Sequence, residues 1–373
     1  MFNRSKKTMA QFDWLLLFLT IALSIYGFVV IFSAVHSSGG TWRALLSQII
    51  ATGLGLIIIS FFQFVDTDAL KKLALPAYIM AALFLIATAI FGVGEDVWGA
   101  RSWLSIGPIT FQPSEFSKIA LILSLALLLE RYQKTLNKPT TLLILAAAMG
   151  FPLLLILKQP DYGTAAVLLF FIGMMIFYAK IHWGYIVGAV VLVIAAAPLL
   201  YQSLSLGQKE RILNFIDPMR DIANSGYQTY QGLIAIGSGK LTGKGYLHGT
   251  QTQFGFIPER DTDYIFAVLT EELGFLGALL LIVLYALLLI RILRIAKNAK
   301  DMFSRTMVIG IAAMIFIHIF ENIGMTIGLM PVTGIPLPFL SNGGTFQLIN
   351  MICIGLVLSV GTQRTPLDFN TRS

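Results

Sequence analysis

FIPERDTDYIFAVLTEELGFLGALLLIVLYALLLI, residues 256–290, joins two halves that a soluble protein keeps apart. The first half crowds Glu259, Arg260, Asp261, Asp263, Glu271 and Glu272 together, in a chain only 12% charged. The second half, residues 273–290, holds no charged side chain. About 20 apolar residues carry a helix through the ~30 Å hydrocarbon core of a bilayer. The stretch therefore reads as a membrane span entered through an acidic mouth.

Nine other apolar runs fall at residues 14–31, 45–64, 73–91, 116–129, 141–157, 164–178, 185–200, 307–329 and 346–360. The chain is 57% hydrophobic with a mean hydropathy of +0.80, against roughly 45–50% apolar residues in ordinary soluble domains. It is predicted to be an all-α polytopic membrane protein of about ten spans, with residues 1–373 forming one integral membrane domain. The runs at 116–129 and 164–178 are short and must borrow flanking residues to span. The first run follows Arg4, Lys6 and Lys7 as a secretory leader would, but it is too long and lacks a small-residue cleavage site, so it reads as a retained anchor. The one cysteine, Cys353, lies in the last run and is expected to pack there.

Basic residues set the expected orientation. With the N-terminus in the cytoplasm, the inner connections hold 16 Lys and Arg, whereas the short outer loops hold Arg43, Arg101 and Lys158. By the positive-inside rule both termini are cytoplasmic. Residues 202–262 then form a large extracytoplasmic loop between the seventh and eighth spans. Tyr227, Tyr230 and Ile234 stand there at helical spacing, which predicts partly ordered structure against the membrane face. The net charge of +7 is explained by topology and attraction to anionic lipid, so no nucleic-acid partner is implied.

Each polar motif has two readings. GSGKLTGKGY, with Lys240 and Lys244, lacks the spacing of a nucleotide phosphate loop; it is either an anion-binding nest or a flexible turn. Asp261-Thr262-Asp263 has a two-carboxylate spacing that can hold a divalent ion, or else Thr262 caps the eighth span and Asp263 complements its dipole. Glu271 and Glu272 lie about 12 Å deeper at 1.5 Å per residue and either begin to line a wet cavity or, as acids inside a membrane helix, mark a functional site. Glu115 and Lys118, at i and i+3 after Pro113, form an ion pair or the wall of an outward cavity. Asp161 adds an acid at the start of the sixth span. His318 and Glu321 share a helix face at a spacing compatible with metal, but two residues do not make a site.

Taken in order, RSWLSIGPITFQPSEFSK, KQPDYGTA, FGFIPERDTDYIFAVLTEELG and GLMPVTGIPLPFLSNGG resemble the SEDS proteins (shape, elongation, division and sporulation) over nearly the whole chain. GIPLP and PERDTD look closer to the rod-shape (RodA) branch than to the division (FtsW) branch. The resemblance implies a peptidoglycan glycosyltransferase that polymerises lipid II on the outer face of the bacterial cytoplasmic membrane. It implies Asp263 as the essential acid, Glu115 and Lys118 as a functional pair, and Asp161 and Ser341 as polar residues of a central cavity. A class B penicillin-binding protein, a transpeptidase, is the implied partner, beside other cell-wall elongation proteins. Asn342 and Phe346 depart from the family pattern and bear on packing beside the last span.

On this reading Asp263 is the base that activates a sugar hydroxyl, and Arg101, Lys118, Lys240 and Lys244 are candidates to meet the charge of the undecaprenyl diphosphate leaving group. No nucleotide is needed. A divalent cation, Mg or Mn, bridging diphosphate and an acid is a second route. A lipid-linked precursor flippase is the competing function, since polytopic bundles with intramembrane charges also suit transport. A scaffold for other wall enzymes is the third, but it leaves the acidic cluster unexplained.

Overall fold

The computed structural model describes residues 11–36, 42–94, 101–106, 109–217, 220–222 and 224–363. Arg4, Lys6, Lys7, Arg364 and Arg372 lie outside the described residues. Ten helices coincide with the ten apolar runs: α1 (Trp14–His36), α2 (Arg43–Phe62), α3 (Thr67–Phe91), α4 (Pro113–Arg131), α5 (Pro139–Lys158), α6 (Tyr162–Tyr178), α7 (Trp183–Ser203), α11 (Ile265–Lys297), α12 (Met302–Thr326) and α13 (Gly344–Thr362). Seven are long and apolar enough to cross a membrane. The other three fall short for separate reasons. In α4 the charges of Glu115, Lys118, Glu130 and Arg131 dilute the apolar content, α6 has 17 residues, and in α7 the stretch whose side chains are described without interruption is the apolar Trp183–Ala196.

Helices α12 and α13 are the most enclosed, with 72% and 78% of their spanning windows buried. Helix α12 touches α4, α6, α11 and α13, and so forms the axis around which the polar residues gather. Helix α4 is buried on nearly every side. A short antiparallel hairpin, β1 (Leu104–Ile106) with β2 (Ile109–Phe111), feeds into α4, and Pro113 takes the first helical position, where a missing N–H costs nothing. By contrast none of the described side chains of α7 is buried, and the helix packs chiefly against α6.

The described residues of the 202–262 segment include three helices, α8 (Leu206–Ile216), α9 (Tyr227–Gly239) and α10 (Thr250–Gln253), in line with its helical spacing. The face of α9 that is buried against the rest of the protein is not the one carrying the apolar spacing. Thr229, Gly232, Ala235 and Gly239 face inward, while Tyr227, Tyr230 and Ile234 are only half-buried. Small residues win because α9 lies very close to α11: a Cβ on Gly239 would come within 1.9 Å of the Thr270 carbonyl oxygen.

Helix α11 is broken at Gly274, whose φ of 66° and ψ of −163° no helical residue adopts. The break frees the N–H groups of Phe275 and Leu276 and the carbonyls of Glu271 and Glu272, which a helix would have paired. The GSGKLTGKGY turn takes up all four. Phe275 and Leu276 donate to the carbonyls of Lys240 and Leu241, and Lys244 and Gly245 donate to those of Glu271 and Glu272. In a membrane, backbone groups freed by a helix break must be satisfied by protein. The glycines permit this approach: Gly243 (φ 79°) could not carry a Cβ without meeting the Glu272 carbonyl oxygen at 2.1 Å.

Charged residues at the ends of the spans meet one another. Lys71 pairs with Glu130 at 2.9 Å and with Asp301 at 3.0 Å, and Arg291 pairs with Asp13 at 2.8 Å. All are partly exposed at one partner or both, so each contributes about 1 kcal/mol or less. Cys353 is fully buried in α13.

Candidate active site

Asp263 stands just before α11, in a segment fastened carbonyl by carbonyl. Asn342 donates its N–H to the Asp261 carbonyl (2.8 Å) and its side-chain amide to Asp261 Oδ2 (2.8 Å). Ser341 Oγ donates to the Thr262 carbonyl (2.6 Å) while accepting the Leu337 N–H (2.8 Å). Asn322, buried on α12, donates to the carbonyls of Asp263 and Ile335, both at 2.8 Å. The Ser341 hydroxyl is thus occupied in shaping the segment. Asn342, a departure from the family pattern, is one of its fasteners. Thr262 does not cap α11: its hydroxyl turns back to Glu259 Oε2 at 3.0 Å, and the residue preceding the helix, Tyr264, makes no side-chain cap.

The Asp263 carboxylate itself has no hydrogen-bond or ion-pair partner among the described residues. It is half-buried and faces Gly334, an exposed glycine with φ 73°, where a Cβ would lie 3.4 Å from Oδ2. Its pKa is pushed up to about 7. Burial is the main cause, the charges of Glu259 and Asp261 add to it, and Arg211 on α8 opposes it.

On α4, Lys118 Nζ lies 2.8 Å from Glu115 Oε1, with both side chains buried. The ion-pair reading of these two residues therefore holds, and the pair has a third member. His318 Nε2 is 2.9 Å from Lys118 Nζ, and His318 Nδ1 is 2.7 Å from the Met314 carbonyl. An ammonium can only donate, so Nε2 is the acceptor and Nδ1 carries the ring proton. With both nitrogens engaged, His318 is not a metal ligand. Phe346 completes the enclosure, its ring centroid 5.5 Å from Lys118 Nζ and 5.4 Å from the imidazole. Phe346 thus covers the buried cation.

Asp161 caps α6 by accepting the Thr164 N–H at 3.0 Å, and its other oxygen accepts the Gln112 amide at 3.1 Å. Beside it, Gly163 packs against Thr333 and Ile335 so closely that a Cβ would stand 2.8 Å from the Thr333 carbonyl oxygen. The 331–336 segment therefore runs between the start of α6 and Asp263. Glu321, on α12, is 2% exposed and flanked by Thr333, Lys118 and Asp161.

The structure gathers Asp263, Glu115, Lys118, Asp161 and Ser341 around α12. Arg101 is exposed, next to the end of α3, where its carbonyl approaches Gly92. Lys240 is exposed at the end of α9, and Lys244 is paired with Glu271 Oε1 at 2.8 Å. Neither the wet-cavity reading of Glu271 nor the anion-nest reading of the glycine turn survives. Glu271 also accepts the N–H groups of Gln251 (2.8 Å) and Thr252 (2.9 Å) and the Thr252 hydroxyl (2.8 Å), and the Lys244 and Gly245 N–H groups point into the α11 break. Glu272 accepts Ser33 Oγ (2.7 Å) and the Gln253 amide (3.0 Å). Sequence reasoning missed Asn322, Gln112 and the placement of Phe346. Asn322 was findable, since it follows His318 by one helical turn.

No group of three or more His, Cys, Asp or Glu side chains that could hold a metal ion occurs among the described residues. Asp261, one half of the two-carboxylate motif, already receives the Asn342 amide. The described side chains alone therefore do not build a resident metal site.

Residues 13–366 match the family model FtsW/RodA/SpoVE, described as cell cycle protein. The chain is 38% identical over 372 residues to the peptidoglycan glycosyltransferase MrdB of Escherichia coli, covering 98% of each chain. Its fold is similar to a chain from a study of the structural coordination of polymerization and crosslinking by a peptidoglycan synthase complex, with a TM-score of 0.81, 32% identity and coverage of 94% and 97%. It is also similar to the rod shape determining protein RodA of Thermus thermophilus, with a TM-score of 0.71, 31% identity and coverage of 95% and 97%. Ten helices wrapped about a buried Lys–Glu–His group, with an acidic segment fastened at one end, are accounted for by this descent: the chain belongs to the FtsW/RodA/SpoVE family.

Proposed function

We propose that the protein is a peptidoglycan glycosyltransferase of the bacterial cytoplasmic membrane that polymerises lipid II on the outer face, serving cell elongation, with both termini in the cytoplasm. The observation that carries this reading is the Asp263 carboxylate. It is held in place by three fastened main-chain carbonyls, it has no partner of its own among the described residues, and its pKa is raised to about 7. A base with a pKa near the working pH is the effective one.

In the proposed step Asp263 accepts the proton of the 4-hydroxyl of an acceptor sugar as that oxygen attacks the anomeric carbon of the lipid-linked glycan. The new C–O bond forms as the bond to undecaprenyl diphosphate breaks, inverting the centre. The electron pair leaves on phosphate oxygen. Lys118 is the cation buried beside this group and is assigned to that charge, with Asp161, Glu115 and Ser341 shaping the site around it. Arg101 is assigned to the outer approach. Likeness to a chain of a complex that joins polymerization to crosslinking supports a transpeptidase partner.

Polymer formation by the purified chain, alone and with that partner, tests the reading. Wild-type protein that moves lipid II across vesicles but makes no polymer would replace it with the flippase.

A further inference from the structure

Two carboxylate oxygens in this group are buried without a hydrogen-bond partner, Glu115 Oε2 and Glu321 Oε2. The first belongs to the ion pair already described. The second has no assigned work. Glu321 is 2% exposed, within a membrane-spanning helix, where an unused carboxyl oxygen is a standing cost. Its surroundings give only partial relief: Thr333 and the charge of Lys118 favour the carboxylate, but Lys118 is turned to Glu115 and His318, Asp161 carries charge of the same sign, and Oε2 itself is left without a partner.

The order of groups along α12 indicates what fills the gap. Lys118 is anchored at His318, and the Asp263 segment is anchored four residues on, at Asn322. That is about 6 Å of helix, the scale of one pyranose ring. Glu321 lies between these two anchors along the helix, close to Lys118 and Asp161. A lipid-linked sugar presents its groups in the same order: anionic diphosphate, ring, and the hydroxyl that reacts. A carboxylate repels the diphosphate but accepts from the ring, whose hydroxyl and acetamido N–H groups are donors.

We propose that Glu321 anchors the substrate saccharide, its Oε2 accepting a hydrogen bond from a hydroxyl or amide N–H of a sugar held between Lys118 and Asp263. This rests on the polymerase reading and adds to it a binding contact that the mechanism above does not use. Glu321 holds the ring in place and takes no part in proton transfer, which remains with Asp263.

The test compares full-length wild type with Glu321→Met, which removes both acceptor oxygens at similar volume, and Glu321→Gln, which keeps one. Lipid II is the probe. Glu321→Met should raise the KM about tenfold with kcat within about threefold, and Glu321→Gln should fall between it and wild type. Lipid II should also raise the melting temperature of Glu321→Met less than that of wild type. This increment is informative even if the variant starts less stable. An unchanged KM and increment, or a fall in kcat at unchanged KM, overturns the proposal. If wild type binds lipid II but makes no polymer, the polymerase reading fails by itself, and the increment still decides whether Glu321 contacts the sugar.

Discussion

Asp263 and Glu271 stand eight residues apart in one acidic stretch, and the fold treats them oppositely. Glu271, fully buried, receives a lysine, two backbone N–H groups and a hydroxyl. Asp263, only half-buried, has its main chain held from three sides while its carboxylate is left without a partner among the described residues. Burial does not separate the two roles. The separation lies in which atoms the neighbours satisfy: at Glu271 the charge, at Asp263 everything except the charge.

The comparison breaks first if exchanging the two acids gives similar results. Asp263→Asn should lower polymer formation by 100-fold or more, on the scale of a lost general base, with no loss of melting temperature. Glu271→Ala should do the reverse. It strands Lys244 and unhooks the 250–252 segment, costing about 3 kcal/mol of stability, while the folded fraction retains its rate. Thermal unfolding and lipid II turnover on the same preparations check both. A silent Glu271→Ala would mean that the shell around it is decorative.

The collar around the α11 break sharpens the contrast with a smaller effect. Gly243→Ala places a Cβ against the Glu272 carbonyl oxygen at a positive φ, which should destabilise by about 1–3 kcal/mol. Limited proteolysis should show the cut within residues 239–254, ahead of global unfolding.

How much of this was legible in the sequence follows the same division. The spans were legible because a bilayer imposes length and apolarity on each helix separately, so the run at 273–290 could be read alone. The Glu115–Lys118 pair was legible because i, i+3 spacing on a helix is local. Asp263 was singled out by its place at the acidic mouth, and its assignment as the base came from family likeness. Nothing local revealed that GSGKLTGKGY is a collar, because its purpose is a break 30 residues away at Gly274, and the broken helix reads as one continuous apolar run. The Asn342 and Phe346 departures were visible as differences, but their work on Asp261 and Lys118 depends on contacts between distant segments.

The finest test concerns the charges that tune Asp263. With its pKa near 7, the base is increasingly protonated below neutrality, so kcat/KM should climb about tenfold per pH unit up to roughly pH 7 and level off above. Stability should run the other way. The ordinary value for the unfolded chain is 3.8, so between about pH 4 and 7 the folded protein holds a proton that the unfolded chain has released, and this residue's contribution falls as pH rises through that window. Glu259→Gln removes the carboxylate charge that raises the Asp263 pKa most while leaving an oxygen able to accept from Thr262. The midpoint should move down, making the variant a few-fold faster than wild type near pH 6 and equal to it on the plateau. Arg211→Gln should move the midpoint up. If both variants leave the profile in place, burial alone sets the acidity of Asp263, and the acidic segment before α11 serves to position the base without tuning it.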